Sequence, residues 1–61
     1  MDQVIEINDD VLVFGRYEGT VTNIEGNQVI VYCPTFDKLN PWLVTAITNV
    51  KLLDLHGKLV N

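Results

Sequence analysis

The chain has 61 residues, a formal net charge of −4 and 48% hydrophobic residues. That length limits it to one small domain, which buries only about 60% of the surface its unfolded chain exposes, and the apolar fraction argues against intrinsic disorder. No apolar run reaches the roughly 18 residues of a membrane span, and the lone cysteine, Cys33, excludes an internal disulfide and a cysteine-based zinc site.

Met1-Asp2-Gln3 lacks the basic start of a signal peptide, so the expected compartment is the cytoplasm. Nine Val, five Ile and five Thr give 19 β-branched positions against a single alanine, Ala46. Such side chains lose χ1 freedom in helices and suit a pleated surface, which predicts an all-β chain. Charge is uneven: residues 1–32 carry six acids against Arg16 alone, whereas residues 33–61 carry three lysines against Asp37 and Asp54. Four basic residues spread along the chain are poor material for neutralising phosphates, which argues against nucleic-acid binding.

Val4-Ile5-Glu6-Ile7 alternates and reads as a short first strand. Asn8-Asp9-Asp10 breaks it, because these side chains bond to nearby backbone and favour turns. Val11-Leu12-Val13-Phe14 is a continuous apolar run, the pattern of a strand buried on both faces, or with one face on the core and one on a partner. Gly15-Arg16-Tyr17-Glu18-Gly19 reads as a loop bounded by two glycines. Thr20–Ile24 and Gln28–Tyr32 then flank Glu25-Gly26-Asn27, a hairpin signal centred on a glycine. Val21 and Ile24 are out of alternating phase, so a bulge or bend near Thr22-Asn23 is needed to turn both inward. In Gln28–Tyr32 both faces are apolar: Val29 and Val31 on one, Ile30 and Tyr32 on the other. The second pair is the candidate surface for self-association.

Cys33-Pro34 ends that strand, because proline cannot donate to a ladder in mid-sheet, and Thr35–Asn40 is a loop. Two readings follow for Pro41–Leu53. Asn40 as N-cap with Pro41 behind it suits a helix start, giving an α+β chain. The β-branched content favours a strand at Trp42–Thr45, a 3₁₀ turn at Ala46–Asn49 and a strand at Val50–Leu53. Leu55-His56-Gly57-Lys58-Leu59 is a tight turn into a short tail strand at Leu59-Val60.

Asp10-Val11-Leu12-Val13-Phe14-Gly15, then Gly19-Thr20-Val21, then Ile24, resembles the opening of KOW, Tudor-like and CAP-Gly domains. Trp42–Leu53 is similar to their fourth strand, 3₁₀ turn and fifth strand. The resemblance covers about residues 9–53 and implies a five-stranded SH3-like barrel. In such barrels the loops flank a ligand groove, which here implies a protein-docking surface at Arg16, Tyr17, Glu18, Phe36 and Trp42. The chain departs from these families where they bind. Nothing after Tyr32 matches the Gly-Lys-Asn-Asp-Gly motif of CAP-Gly domains, and the acidic balance differs from RNA-binding KOW domains. Tyr17, Tyr32, Phe36 and Trp42 supply the ring types of a Tudor-like aromatic cage.

Catalytic chemistry finds little footing. His56 is the lone histidine and lies beside Gly57 in a turn, and Cys33 has no histidine near it in sequence. Asp9 and Asp10 are adjacent, so on extended chain they point apart and fit a turn better than a metal site. Gly15 and Gly19 lack the Lys-Ser/Thr of a phosphate loop, and no cofactor motif is present. The expectation is a non-enzymatic protein-interaction module, self-associating as a homo-oligomer. The alternatives are a small acidic inhibitor or nucleic-acid mimic of the kind phages and mobile elements encode, and a KOW-type nucleic-acid binder.

Overall fold

The computed structural model describes residues 4–60; the Met1-Asp2-Gln3 start read for a signal peptide lies outside the described residues. Five antiparallel strands make one sheet: β1 (Asp10–Val13), β2 (Tyr17–Glu25), β3 (Gln28–Tyr32), β4 (Trp42–Ala46) and β5 (Val50–Leu52). Their order is β4-β3-β2-β1-β5, so β1 pairs with the strand farthest from it in sequence. A 3₁₀ turn at Ile47–Asn49 joins β4 to β5. The chain is all-β, with a form compatible with a small barrel. The helix at Pro41–Leu53 does not form, because its run of β-branched residues goes into β4 and β5 instead. Among the described residues no helix is long and apolar enough to cross a membrane.

The β2–β3 hairpin is where the local rules act most cleanly. Glu25 pairs with Gln28, leaving a two-residue turn at Gly26-Asn27. Gly26 has φ +59, the positive value a type II′ turn needs at its first central position. The register shifts between Val21 and Asn23, placing the predicted bulge at Thr22. Val21 is then fully buried and Ile24 packs against the core from its rim.

One face of the sheet closes on Val11, Val13, Val21, Val29, Val31 and Cys33, all without solvent exposure, with Ile5 and Val50 beside them. Valine dominates because alternate positions of curled strands meet at short range and small branched side chains fill that space. Thr45, from β4, is the one buried polar residue among the described residues, and Asn49 Nδ2 donates to its Oγ1 at 2.9 Å.

Four expected elements come out differently. Val4–Ile7 forms no strand: Asp9 N–H donates to the Glu6 carbonyl in a turn with Asn8 at φ 78, the positive value of a type II turn's third position. Asn8 N–H and the Asp9 carbonyl then both bond to Val21, a bulge that steers the preceding chain off the sheet. Phe14 leaves β1 and enters the turn, so β1 has its full burial on one face only. The predicted Gly15–Gly19 loop shrinks to Phe14-Gly15-Arg16, with Tyr17, Glu18 and Gly19 inside β2. At the other end, Leu59 makes a single bridge to Leu53 rather than a tail strand.

Candidate functional site

The residues singled out as a docking surface divide between the two faces of the sheet. Tyr17 pairs with Val13, which puts its ring on the core side at the sheet's rim. Glu18, next in the strand, lies on the outer face beside Leu12 and Lys51. Tyr32 lies on that outer face too, in one cross-strand row with Asp10, Thr20 and Trp42.

Arg16, Tyr17 and Phe36 come together at the rim. The Tyr17 and Phe36 rings meet edge to face, with centroids 5.1 Å apart at 85°, the arrangement that sets a positive ring edge on a negative ring face. The Arg16 guanidinium carbon is 5.3 Å from the Tyr17 ring centroid, within cation–π range. Phe36 is carried there by a tight turn: its N–H donates to the Cys33 carbonyl at 3.0 Å, with Pro34 at the position that proline's fixed φ suits. The Glu18 main-chain carbonyl anchors this turn, accepting from Thr35 Oγ1 at 3.3 Å and from Cys33 Sγ at 3.5 Å. Glu18 thus holds the site through its backbone and not through its carboxylate. The result is an aromatic shelf on which Phe36 remains 45% exposed.

Trp42 takes no part in that shelf. It packs instead on Tyr32, with centroids 5.1 Å apart at 60°. Ile30 faces Val44 one pair further along β3 and β4. The outer face of β3 and β4 therefore carries Ile30, half-buried, with Tyr32, Trp42 and Val44 exposed. Val44 is a member the sequence reading missed; it became visible only once Ile30↔Val44 fixed the register. The two aromatic pairs lie on opposite faces of the sheet, so the four rings enclose no common cation site of the Tudor type.

Cys33 is fully buried. His56 sits in a turn clamped by Asp54, whose Oδ1 accepts from His56 N–H at 2.8 Å and Lys58 N–H at 2.9 Å. Asp9 turns back to accept from Glu6 N–H at 2.8 Å, as a turn residue does. Among the described residues no three His, Cys, Asp or Glu side chains gather as a metal site. The described acids of the first half fall at three places: Glu6, Asp9 and Asp10 around the first turn, Glu18 near the start of β2, and Glu25 at its end beside the hairpin turn. No protein-family model, curated protein or solved structure significantly matches the chain.

Proposed function

We propose that the protein is a non-enzymatic interaction module, an SH3-like barrel that docks a protein partner at the Arg16–Tyr17–Phe36 shelf and also self-associates. The strand order β4-β3-β2-β1-β5 with a 3₁₀ turn before β5 supports the barrel reading. The single observation that carries the docking reading is the shelf itself. The exposed Phe36 follows Thr35, whose hydroxyl is anchored on the Glu18 carbonyl of β2, and it meets the Tyr17 ring over which the Arg16 guanidinium lies. Two aromatic faces fixed before binding lose little side-chain entropy on contact, and Arg and Tyr are the residue types that dominate binding hot spots. The partner segment that fits presents an apolar side chain to the rings and a carboxylate to Arg16.

Affinity capture from the host lysate with the wild-type chain, Phe36→Ala and Arg16→Ala tests the reading. Phe36 is exposed enough for its removal to leave the sheet folded. Loss of the same captured protein from both variants is expected. Wild-type-level capture by both folded variants sinks the assignment.

A further inference from the structure

The two edges of the sheet are finished differently, and the difference points to what meets β4. On β5, Val50 N–H is bound to the Ile47 carbonyl, the Leu52 carbonyl accepts from Val60 N–H at 3.0 Å, and Leu59 bridges Leu53. The chain's own turn and tail occupy that edge. On β4 nothing does so among the described residues. Cys33 N–H donates to the Pro41 carbonyl and Ile47 N–H to the Asn27 carbonyl, each at 2.7 Å. Alternation between these two bonds turns the polar groups of Leu43 and Thr45 toward β3, and those of Trp42, Val44 and Ala46 outward. Two of these residues also carry exposed side chains, Trp42 at 54% and Val44 at 56%.

Natural edge strands are blunted by charge, proline or bulges. β4 has none within its span, and no charged residue occurs in residues 26–36 or 39–50. In a chain of net charge −4 this half is where two like-charged copies can meet without setting acid against acid. We infer that β4 pairs antiparallel with β4 of a second copy, about a two-fold axis at Val44, joining the two sheets into one. The outward groups dictate that register. Val44 meets Val44, and Trp42 meets the second copy's Ala46, in about six backbone hydrogen bonds. The chain's one alanine then stands opposite its one tryptophan, leaving room for the ring on the outer face.

This deepens the self-association part of the proposed function and leaves the Arg16–Tyr17–Phe36 shelf free. The test is sedimentation equilibrium from about 10 µM to about 1 mM, the range of modest protein associations, with amide exchange read in parallel. The wild-type chain is expected to approach twice its 6.9 kDa with rising concentration, while the Val44 amide becomes protected. Val44→Lys, which sets two charges face to face at the axis, is expected to weaken the dimer about tenfold or more. Leu39→Lys, on a fully exposed loop residue, leaves it unchanged. A wild-type chain that stays monomeric, a dimer untouched by Val44→Lys, or a Val44 amide that exchanges alike at all concentrations overturns the pairing. Because Phe36→Ala and Arg16→Ala leave β4 intact, loss of partner docking and loss of the dimer are read separately.

Discussion

Gly19 lies directly against Val31. A Cβ on Gly19 would stand 2.6 Å from Val31 Cγ1 and 2.7 Å from the Tyr32 carbonyl oxygen, both inside contact distance. The methyl can rotate away, but the carbonyl belongs to the β3 ladder. Gly26 is the opposite case, with open space around it and a backbone at φ +59. Gly19→Ala is therefore expected to cost about 3 kcal/mol through overpacking, and Gly26→Ala about 1 kcal/mol through backbone strain alone. Urea unfolding of both variants measures the order. Equal stability of Gly19→Ala and wild type would show that β2 and β3 do not approach this closely.

Phe14 holds a conformation that its side chain resists. The Val13–Arg16 turn is closed by Arg16 N–H to the Val13 carbonyl at 3.0 Å, with Phe14 at φ 54 and Gly15 at φ 68. Two positive values in succession are the signature of a type I′ turn, for which Asn-Gly is the preferred pair. Phe14→Asn supplies that pair while removing a ring that is half in solvent. It is expected to raise the unfolding free energy by about 1 kcal/mol, read as a higher urea midpoint. A lowered midpoint would mean that the ring's contacts outweigh the strain.

Asn49 is a clip between strands. Its side chain donates to buried Thr45 on β4, and its carbonyl accepts from Phe14 N–H beside β1 at 2.9 Å. Asn49→Ala strands the Thr45 hydroxyl in the core and is expected to cost about 2 kcal/mol. Thr45→Val removes the hydroxyl that needs a donor, so the double variant should recover part of the loss. A double-mutant cycle measures the coupling. A coupling of zero would place the cost of Asn49→Ala outside this bond.

The hairpin of β2 and β3 was legible because its determinants are local: Gly26 at the turn, alternating valines on either side, and a phase break that only a bulge repairs. Strand β4 and the 3₁₀ turn followed from β-branched content for the same reason. What escaped was set from a distance. The Val4–Ile7 pattern suits a strand, but the Val21 groups facing it are already taken by Asn8 and Asp9. Phe14 looks like strand, and its amide still continues the β1–β5 ladder to the Asn49 carbonyl, but the turn closed by Arg16 N–H on the Val13 carbonyl sets its φ at 54. The candidate site was half legible, since Tyr17 and Phe36 have the residue type of docking rings but their contact depends on Thr35 reaching the Glu18 carbonyl. The family resemblance groups Trp42 with them, whereas its register partner is Tyr32.

The pairing of Val13 with Val50 also sets a clock. Glu25 and Gln28 meet across a two-residue turn, whereas Val13 and Val50 meet only after β2, β3, β4 and the 3₁₀ turn have been threaded between them. Closing the longer loop loses more chain entropy before any contact compensates it, so the β1–β5 seam closes last and parts first. Core truncation at Val50 should then speed unfolding with little effect on folding, whereas weakening the Gly26 turn should slow folding, a contrast the two arms of a chevron plot resolve. A molecule that opens at β5 also releases the tail lying along it, briefly exposing a second bare edge. With β4 bare as well, such an opening leaves backbone groups unpaired on two edges at once, and its lifetime sets how long they stay so.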